Sequence, residues 1–233
     1  IGSAGVNHVF SNKLFASFTA GYTRYRSHIM QDKADYAQSS IINDEKVFNQ
    51  ESHYRSAMED LSLRASFDYR LNKKHRLRFG GDYLFHNFRP EQNTMKSWYK
   101  DSVKSQETNT VYSNSLIRGH EVSLYGEEEM HVMDRLKVNV GLRYTLFYVQ
   151  GEMYQSFQPR LSARYMLKRN LSAKLSYTKM NQYIHLLSNS YISQPTDIWV
   201  PVTRNIRPMN AHQYTAGLYY TLNKQYNFSI EGY

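Results

Sequence analysis

Acidic residues at alternating positions are the first candidates for chemistry in this sequence. Glu121, Glu127 and Glu129 have the even spacing that places side chains on one face of a β-strand. Paired carboxylates can serve as general acid and general base. Basic residues take the corresponding polar positions of the strands predicted next along the chain: Arg143, Arg160, Arg164 and Lys174. A ladder of opposite charges is ordinary inside a water-filled barrel, so we predict a charged lumen and no enzyme.

Histidine and cysteine usage argues against a resident metal or cofactor. The nine histidines are scattered without the spacing of a helix-borne metal site, and no cysteine supplies thiolate ligands. The chain also lacks a nucleophile elbow, a phosphate loop and a nucleotide fingerprint. We expect neither a cofactor nor a nucleic-acid partner. Gly80-Gly81 lies within a predicted strand, where it indicates a bend or a close approach of chains.

Aromatic and amide side chains between the predicted strands are candidates for ligand binding. Trp98 and Tyr99 stand in a polar stretch, and Trp199 lies between two prolines. A tryptophan there can stack on a planar ligand or anchor its own loop, and for Trp199 we favour the anchor. His185 can contact a ligand, although a structural hydrogen bond is the commoner role. The predicted ligand-binding residues are Trp98, Tyr99, Asn181, Gln182, Tyr183, His185, Trp199 and Arg204.

Strict alternation of apolar and polar residues predicts the elements that hold these side chains. From 61 to 71 the odd positions are apolar and the even positions polar, and after a short turn the pattern resumes from 77 to 86. A helix would mix the two sets on every face. The pattern recurs in the first nine residues and over 14–23, 122–130, 136–148, 158–167, 171–178, 214–222 and 226–232. We count about ten strands, most with the roughly nine to eleven residues that cross a bilayer.

Composition agrees with a wall that has lipid on one side and water on the other. Mean hydropathy is −0.67, and no stretch approaches eighteen apolar residues, so no membrane-spanning helix is predicted. The 21 tyrosines suit interfacial aromatic girdles. The net charge of +9 favours anionic partners such as lipopolysaccharide, unless the rest of the protein balances it. The predicted fold is all-β, an antiparallel transmembrane β-barrel.

Alternating connection lengths predict the direction of the strands. Short links are expected near 10–13, 72–75, 132–135, 168–170 and 223–225. Long connections are expected over about 27–56, 90–118 and 184–210, with a shorter one on the same side at 149–156. Bacterial barrels keep short turns in the periplasm and long loops outside. Both ends of the chain would lie on the loop side, so we expect an internal part of a larger barrel. Glu128 would face lipid, which its position near a periplasmic turn makes tolerable.

Four motifs carry a resemblance to a known family. They are FQPRL at 157–161, MNQYIHLL at 180–187, PTDIWVP at 195–201 and HQY at 212–214. Together they resemble the barrel of TonB-dependent outer-membrane receptors, most closely those of Bacteroidetes-type bacteria. The resemblance implies about 22 strands around a separate plug domain, of which residues 1–233 form a partial barrel domain. The plug and the TonB-binding peptide would lie outside this chain.

The same resemblance implies the function, active import of a scarce nutrient into a Gram-negative bacterium with energy from TonB. The implied partners are outer-membrane lipid and lipopolysaccharide, the protein's own plug domain, TonB, a surface lipoprotein and an unknown nutrient ligand. The charged lumen residues would contact the plug or line the transport path. The family carries iron chelates, corrinoids, glycans and peptides, and the sequence does not select among them.

Two other classes of protein share parts of this pattern. A passive porin has the same alternation but no plug. A ten-strand outer-membrane enzyme can hold a surface protease site, although no well-placed Asp-His or Ser-His pair supports one here. An N-terminal globular domain in the full gene would exclude the porin, and activity on peptides or phospholipids would establish the enzyme.

Overall fold

The chain forms one large antiparallel sheet. The computed structural model describes residues 1–39, 44–100, 105–111, 115–187, 198–223 and 225–233. The strands of this part of the chain are β1 (Gly2–Val9), β2 (Leu14–Ser39), β3 (Asp44–Arg70), β4 (His75–Lys100), β5 (Ser105–Val111), β6 (Ile117–Met133), β7 (Leu136–Val149), β8 (Glu152–Lys168), β9 (Leu171–Gln182), β10 (Ile184–Leu187), β11 (Ile198–Pro201), β12 (Met209–Leu222) and β13 (Tyr226–Gly232).

Strand order follows chain order, with two exceptions. The main path is β1-β2-β3-β4-β6-β7-β8-β9-β12-β13, which agrees with the predicted ten strands. β5 is added beside the far end of β4, and β10 and β11 pair only with each other. The all-β antiparallel prediction is therefore confirmed. The described residues contain no helix long and apolar enough to cross a membrane.

The pairing register brings the apolar positions of successive strands onto one face of the sheet. Leu161, for example, is paired with Val140 on one side and with Tyr177 on the other. We call this the outer face, and its large apolar residues remain accessible, as Leu63 (48%) and Leu161 (45%) illustrate. The intervening polar residues form the inner face. The residues predicted to point outward share the outer parity: Leu63, Phe67, Val138, Leu142, Leu161 and Leu218.

Cross-strand contacts reinforce the outer face. The rings of Phe67 and Phe79 stack with centroids 5.2 Å apart, and Phe18 meets Phe67 edge-on at 5.8 Å. Such aromatic pairs add about 0.5–1.5 kcal/mol beyond the area they bury. Glu128, the acid expected on this face, has its Oε1 2.7 Å from Nδ1 of His75. This pair lies beside the turn that precedes β4, which agrees with the prediction that a turn makes the charge tolerable.

Short turns close the strand pairs at one end of the sheet, the turn end. In the turn between β3 and β4, Asn72 Oδ1 accepts hydrogen bonds from the backbone N–H groups of Lys74 (2.8 Å) and His75 (2.9 Å). At the opposite end, the rim, β7 and β8 are joined by Gln150 and Gly151 alone, with φ of 49° and 86°. The extent predicted for this connection, 149–156, is wrong, because a two-residue hairpin turn with positive φ joins the strands.

Strands β2, β3 and β4 continue well past the predicted strand ends. β2 pairs with β3 from Leu14 opposite Tyr69 to Ser39 opposite Asp44, so most of the loop predicted over 27–56 is sheet. The upper part of β4 likewise pairs with β5 within the loop predicted over 90–118. A sheet outside the bilayer can be polar on both faces, so the alternation that marks the wall is lost there. The predicted loops were wrong for this reason.

The connection between β9 and β12 folds back across the inner face. β10 and β11 form a hairpin with Ile184 opposite Pro201. β11 lies against β4 and β3, although its chain neighbours β9 and β12 stand several strands away in the sheet. We call residues 183–187 and 198–208 the rim segment. The loop predicted over 184–210 is thus partly a folded hairpin, and residues 188–197 lie outside the described part.

Gly80 marks a close approach of neighbouring strands, as the sequence predicted. A Cβ at this position would lie 2.2 Å from the backbone oxygen of Ala65 and 2.8 Å from the hydroxyl of Tyr125. The absence of a side chain lets the Tyr125 ring lie across β4 and donate a hydrogen bond to Ser66 Oγ at 2.9 Å. The glycine therefore permits a contact between β6 and β3 over the strand that separates them.

Candidate functional site

A small apolar core at the rim holds the rim segment against the inner face. Phe147, Val149, Tyr183 and Val202 are all nearly or completely buried. The rings of Phe147 and Tyr183 stack with centroids 5.0 Å apart and an interplanar angle of 8°. Complete burial of such side chains contributes about 1.5–3 kcal/mol each. This cluster therefore anchors the rim segment to β7.

The inner positions of β7 explain why the core forms at the rim. Counted from the turn end toward the rim they read Arg143, Thr145, Phe147 and Val149. The inner face thus changes from charged through polar to apolar along a single strand. Gly119 on the paired strand makes room for the change, because a Cβ there would lie 3.1 Å from the Phe147 ring. An apolar inner patch exposed to water would be unfavourable, and the rim segment covers it.

A buried polar ladder lies directly beneath the apolar core. Ser123 and Thr145 share a hydrogen bond of 2.9 Å, and Gln158 Nε2 donates to both Thr145 Oγ1 (3.2 Å) and Ser156 Oγ (3.0 Å). The Tyr183 hydroxyl completes the ladder by donating to Ser156 Oγ at 2.7 Å. Burial raises the pKa of Tyr183, so the hydroxyl keeps its proton and remains a donor. The ladder links the rim segment to three strands of the wall.

Further bonds hold the rim segment together and tie it to β8. The Val202 N–H donates to the Tyr183 carbonyl at 2.8 Å, and the Tyr154 hydroxyl donates to the Thr203 carbonyl at 2.8 Å. Arg204 Nε lies 3.1 Å from Glu152 Oε1 on the exposed edge. The predicted ligand residue Arg204 is therefore already engaged with β8.

A charged cluster on the inner face surrounds two buried side chains. The Asp82 carboxylate accepts a hydrogen bond from Arg64 Nε at 2.6 Å, and its other oxygen lies 2.8 Å from Arg143 Nη1. His86 Nδ1 lies 2.7 Å from Asp60 Oδ1, and its Nε2 lies 4.0 Å from Glu121 Oε2. Buried charges need such partners because desolvation is costly. The cluster extends the polar ladder across β3 and β4.

The predicted lumen charges all lie on the inner face, but with other partners than the spacing suggested. Glu127 Oε1 lies 3.2 Å from Arg78 Nη2 and accepts a hydrogen bond from Asn139 Nδ2 at 3.0 Å. Glu129 Oε2 lies 3.7 Å from the same Arg78 nitrogen. The glutamates of β6 therefore form their ion pairs with β4, on one side of β6. The predicted basic partners lie on β7, β8 and β9, on the other side of β6.

The remaining basic residues of the predicted set line open clefts of the inner face. Arg164 donates from Nε to Ser172 Oγ at 3.2 Å. Arg164, Lys174, Glu129 and Tyr219 border a cleft of about 390 Å³ near the turn end. Arg160 borders a second cleft of about 280 Å³. The predicted contacts of these residues with a plug stay a prediction.

The predicted ligand residues of the rim segment are gathered at the mouth. Tyr183 and His185 are buried, and the half-buried Trp199 lies in β11 opposite Leu186. The anchor role favoured for Trp199 stays a prediction. Asn181 and Gln182 are more exposed than Tyr183 and His185. Asn181 Nδ2 donates to Asn210 Oδ1 at 2.6 Å, and Gln182 Nε2 donates to the Ile184 carbonyl at 2.6 Å.

Trp98 and Tyr99 stand apart from the mouth, on the extension of β4 beside β5. Lys96 Nζ lies 5.8 Å from the ring centroid of the half-buried Trp98 and 2.9 Å from Glu107 Oε1. The Glu107 ion pair raises the pKa of Lys96, which keeps the ammonium charged beside the indole. The side chain of Tyr99 lies outside the described part of the structure. The predicted ligand residues on β4 are therefore separate from those of the rim segment.

Sequence reasoning missed several residues that organise the site. Asp60 on β3 and Asp82 and His86 on β4 have the inner parity, but these two strands were read for their alternation and not for their charges. Phe147 was an apolar exception in a polar series, and that exception was the available signal for a covered patch. Across the described ranges, no three His, Asp or Glu side chains are grouped to hold a metal ion.

An accessible apolar outer face, a charged inner face and tight turns at one end define the wall of an outer-membrane β-barrel. The chain belongs to the TonB-dependent receptor-like β-barrel family, whose model matches residues 2–233. Members lie in the outer membrane of Gram-negative bacteria, and so does this protein. No curated protein matches the chain.

Solved structures with the same fold are outer-membrane receptors. The ferripyoverdine receptor of Pseudomonas aeruginosa superposes with a TM-score of 0.61 at 16% identity, over 98% of this chain and 31% of that one. The pyoverdine receptor FpvA of P. aeruginosa PAO1 gives 0.60 at 16% identity, with 98% and 34% covered. A complex of FpvAI with pyocin S2 gives 0.61 at 17%, with 98% and 32%. The chain spans about a third of the length of these structures.

Proposed function

We propose that the chain is part of a receptor that actively imports a scarce nutrient across the outer membrane, with energy supplied through TonB. The observation that carries the proposal is the rim segment, which is folded into the mouth and anchored by a buried core. A segment folded onto the inner face beside the rim offers a surface for ligand capture, and membership of the receptor family favours active import over passive passage.

In this proposal, residues 1–233 form a partial barrel domain whose plug and remaining strands lie elsewhere in the protein. The inner-face charges would contact the plug or line the transport path, with Glu127, Glu129, Arg164 and Lys174 placed near the turn end. The outer face would contact lipid and lipopolysaccharide. TonB would act through a segment outside this chain, and a surface lipoprotein would assist ligand capture at the rim. The likeness to Bacteroidetes-type receptors stays a prediction.

The solved relatives have named ligands but leave the ligand class of this protein open. Two of them are described as receptors for pyoverdine or its ferric complex, and one as bound to pyocin S2. At 16–17% identity they support a shared fold, so the ligand of this protein stays open among iron chelates, corrinoids, glycans and peptides. The predicted capture residues are those of the rim segment, Asn181, Gln182 and the group around Trp98.

Growth on a limiting nutrient tests the proposal. Cells expressing the full gene would receive a ferric chelate, a corrinoid, a glycan or a peptide as the sole source of iron, cobalt, carbon or nitrogen. Deleting the TonB-binding peptide should abolish uptake while surface binding persists. Uptake at normal rates in that strain, or in cells lacking TonB, would establish a passive porin instead. Cleavage of supplied peptides or phospholipids by the purified protein would favour the enzyme.

Substitutions at the rim test the placement of ligand capture. Tyr183→Ala, Trp98→Ala or a deletion within 190–207 should reduce uptake without preventing assembly of the barrel. Tyr148→Ala is the matched control, because this tyrosine is exposed on the outer face of the same rim. Equal uptake by Tyr183→Ala and Tyr148→Ala cells would contradict a capturing role for the rim segment.

A further inference from the structure

A cleft of about 280 Å³ opens on the inner face next to the polar ladder, on its turn-end side. Its lining includes Arg64, Asp82, Tyr125, Glu127, Arg143 and Arg160. Arg143 and Tyr125 each stand two residues closer to the turn end than the ladder residues Thr145 and Ser123. A solute that had passed the rim segment would therefore meet this cleft next.

Asp82 holds two guanidinium groups in place at the wall of the cleft. Its side chain is 2% exposed, and its two oxygens lie 2.6 Å from Arg64 Nε and 2.8 Å from Arg143 Nη1. Each guanidinium carries five N–H donors in a rigid fork, and Asp82 engages one nitrogen of each. The remaining donors are oriented by a buried carboxylate before any ligand arrives, which lowers the cost of binding.

The charges around the cleft do not balance. Arg64, Arg143 and Arg160 contribute +3, and Asp82 and Glu127 contribute −2. Arg78 lies 3.2 Å from Glu127 and 3.7 Å from Glu129, so its own charge is balanced outside the cleft. Among the described residues, Arg160 has no acidic partner. The lining of the cleft therefore carries an excess of one positive charge and includes one unpaired guanidinium.

Small residues keep the cleft open. Arg160 is paired across β7 and β8 with Gly141, where a Cβ would lie 3.4 Å from Glu127. Tyr125 donates its hydroxyl proton to Ser66 Oγ and so offers the cleft no donor of its own. The charged donors of the lining are those of the three arginines.

We propose that this cleft binds an oxyanion group, carboxylate or phosphate, of a small solute that has passed the rim segment. The proposal rests on the function proposed above and names the chemistry of what is carried. Planar guanidinium groups match the geometry of both oxyanions, and charge-assisted hydrogen bonds in a partly enclosed cleft are stronger than neutral ones.

Equilibrium dialysis of the intact, detergent-purified receptor with radiolabelled inorganic phosphate, and separately with succinate, tests the proposal. We expect saturable binding of at least one probe that weakens with added sodium chloride. Arg160→Gln should weaken that binding about tenfold, because one charge-assisted contact is lost. Ser66→Glu should abolish it, because an internal carboxylate would occupy the cleft.

Arg169→Gln is the matched control, since it removes the same charge at an exposed turn outside the cleft. Its binding should equal that of the unsubstituted receptor. An equal loss of probe binding in Arg169→Gln would indicate general charge attraction and overturn the proposal. Absence of saturable binding by the unsubstituted receptor would also overturn it, for example because a carboxylate of the protein already fills the cleft. Unchanged thermal melting establishes that each variant is folded, and if Arg160→Gln fails to fold, Ser66→Glu decides. TonB-dependent uptake is measured separately, so the two proposals can fail independently.

Discussion

The two halves of β7 have the same alternation of inner and outer residues but differ in the polarity of their inner side chains. Near the turn end, Val140 faces outward while Arg143 lies inside among charges. Near the rim, Tyr148 faces outward while Phe147 is buried inside under the rim segment. The lower half has a wall with one apolar face, and the upper half has an apolar patch on both faces. The comparison shows that the inner face can hold a folded segment where its side chains change from charged to apolar.

Removing the apolar inner patch should have the largest effect. Phe147→Ala deletes a completely buried ring, and such substitutions typically cost about 3–5 kcal/mol. Tyr148→Ala, on the next residue and the opposite face, should cost much less because the side chain is 50% exposed. Denaturant unfolding in liposomes measures both. Similar costs would mean that the rim segment contributes little to stability.

Placing a charge on the outer face should be the next largest effect. Val140→Arg or Leu218→Arg should destabilise the intact receptor in bilayers by about 2–4 kcal/mol, because the guanidinium would enter lipid. Arg164→Ala, on the inner face, should cost less. If unfolding in liposomes gave equal free energies for these variants, the assignment of the outer face to lipid would be wrong.

Filling the close approach between strands should be intermediate. Gly80→Ala places a methyl group against the Ala65 carbonyl and the Tyr125 hydroxyl, and we expect a cost of about 1–3 kcal/mol. Gly126→Ala is its control, since nothing lies within 4 Å of a Cβ there. Chemical denaturation of both variants decides, and a larger loss in Gly126→Ala would contradict the described packing.

Cutting the rim segment from the polar ladder should have the smallest effect. Tyr183→Phe removes one hydrogen bond to Ser156 but keeps the stacked ring, so a loss of about 0.5–1.5 kcal/mol is expected. Hydrogen exchange at the Val202 amide, which bonds to the Tyr183 carbonyl, should quicken more than exchange at amides within β7. An equal increase of the exchange rates at Val202 and within β7 would mean that the polar ladder and the wall open together.

The wall was predictable and the mouth was not, for a physical reason. Alternation identifies strands whose two faces meet different solvents. The residues from Leu61 to Leu71 could therefore be assigned to the two faces of a strand without any tertiary information. The extension of β2 and β3 lacks that contrast, and its strands were read as loop. The core of Phe147, Tyr183 and Val202 joins residues distant in sequence, and only the fold brings them together.

The candidate site divides in the same way. Inner parity was enough to select Glu127, Glu129 and Arg143 as lumen residues, and the structure places all three on the inner face. Parity does not say which neighbouring strand supplies the partner. The partner of Glu127 and Glu129 is Arg78, on the strand that precedes β6 in the sheet. The predicted basic partners lie on the strands that follow β6. Asp82 acquires its importance only because Arg64 and Arg143 converge on it from different strands.

The rim segment leaves and rejoins the wall at a single cross-strand pair, Gln182 opposite Met209. From that pair toward the turn end, β9 and β12 stay in continuous register as far as Leu171 opposite Tyr220. A change in the length or sequence of the segment therefore need not shift any strand of the barrel. The segment is therefore a separable insert, which related chains could vary while the wall of the barrel keeps its register.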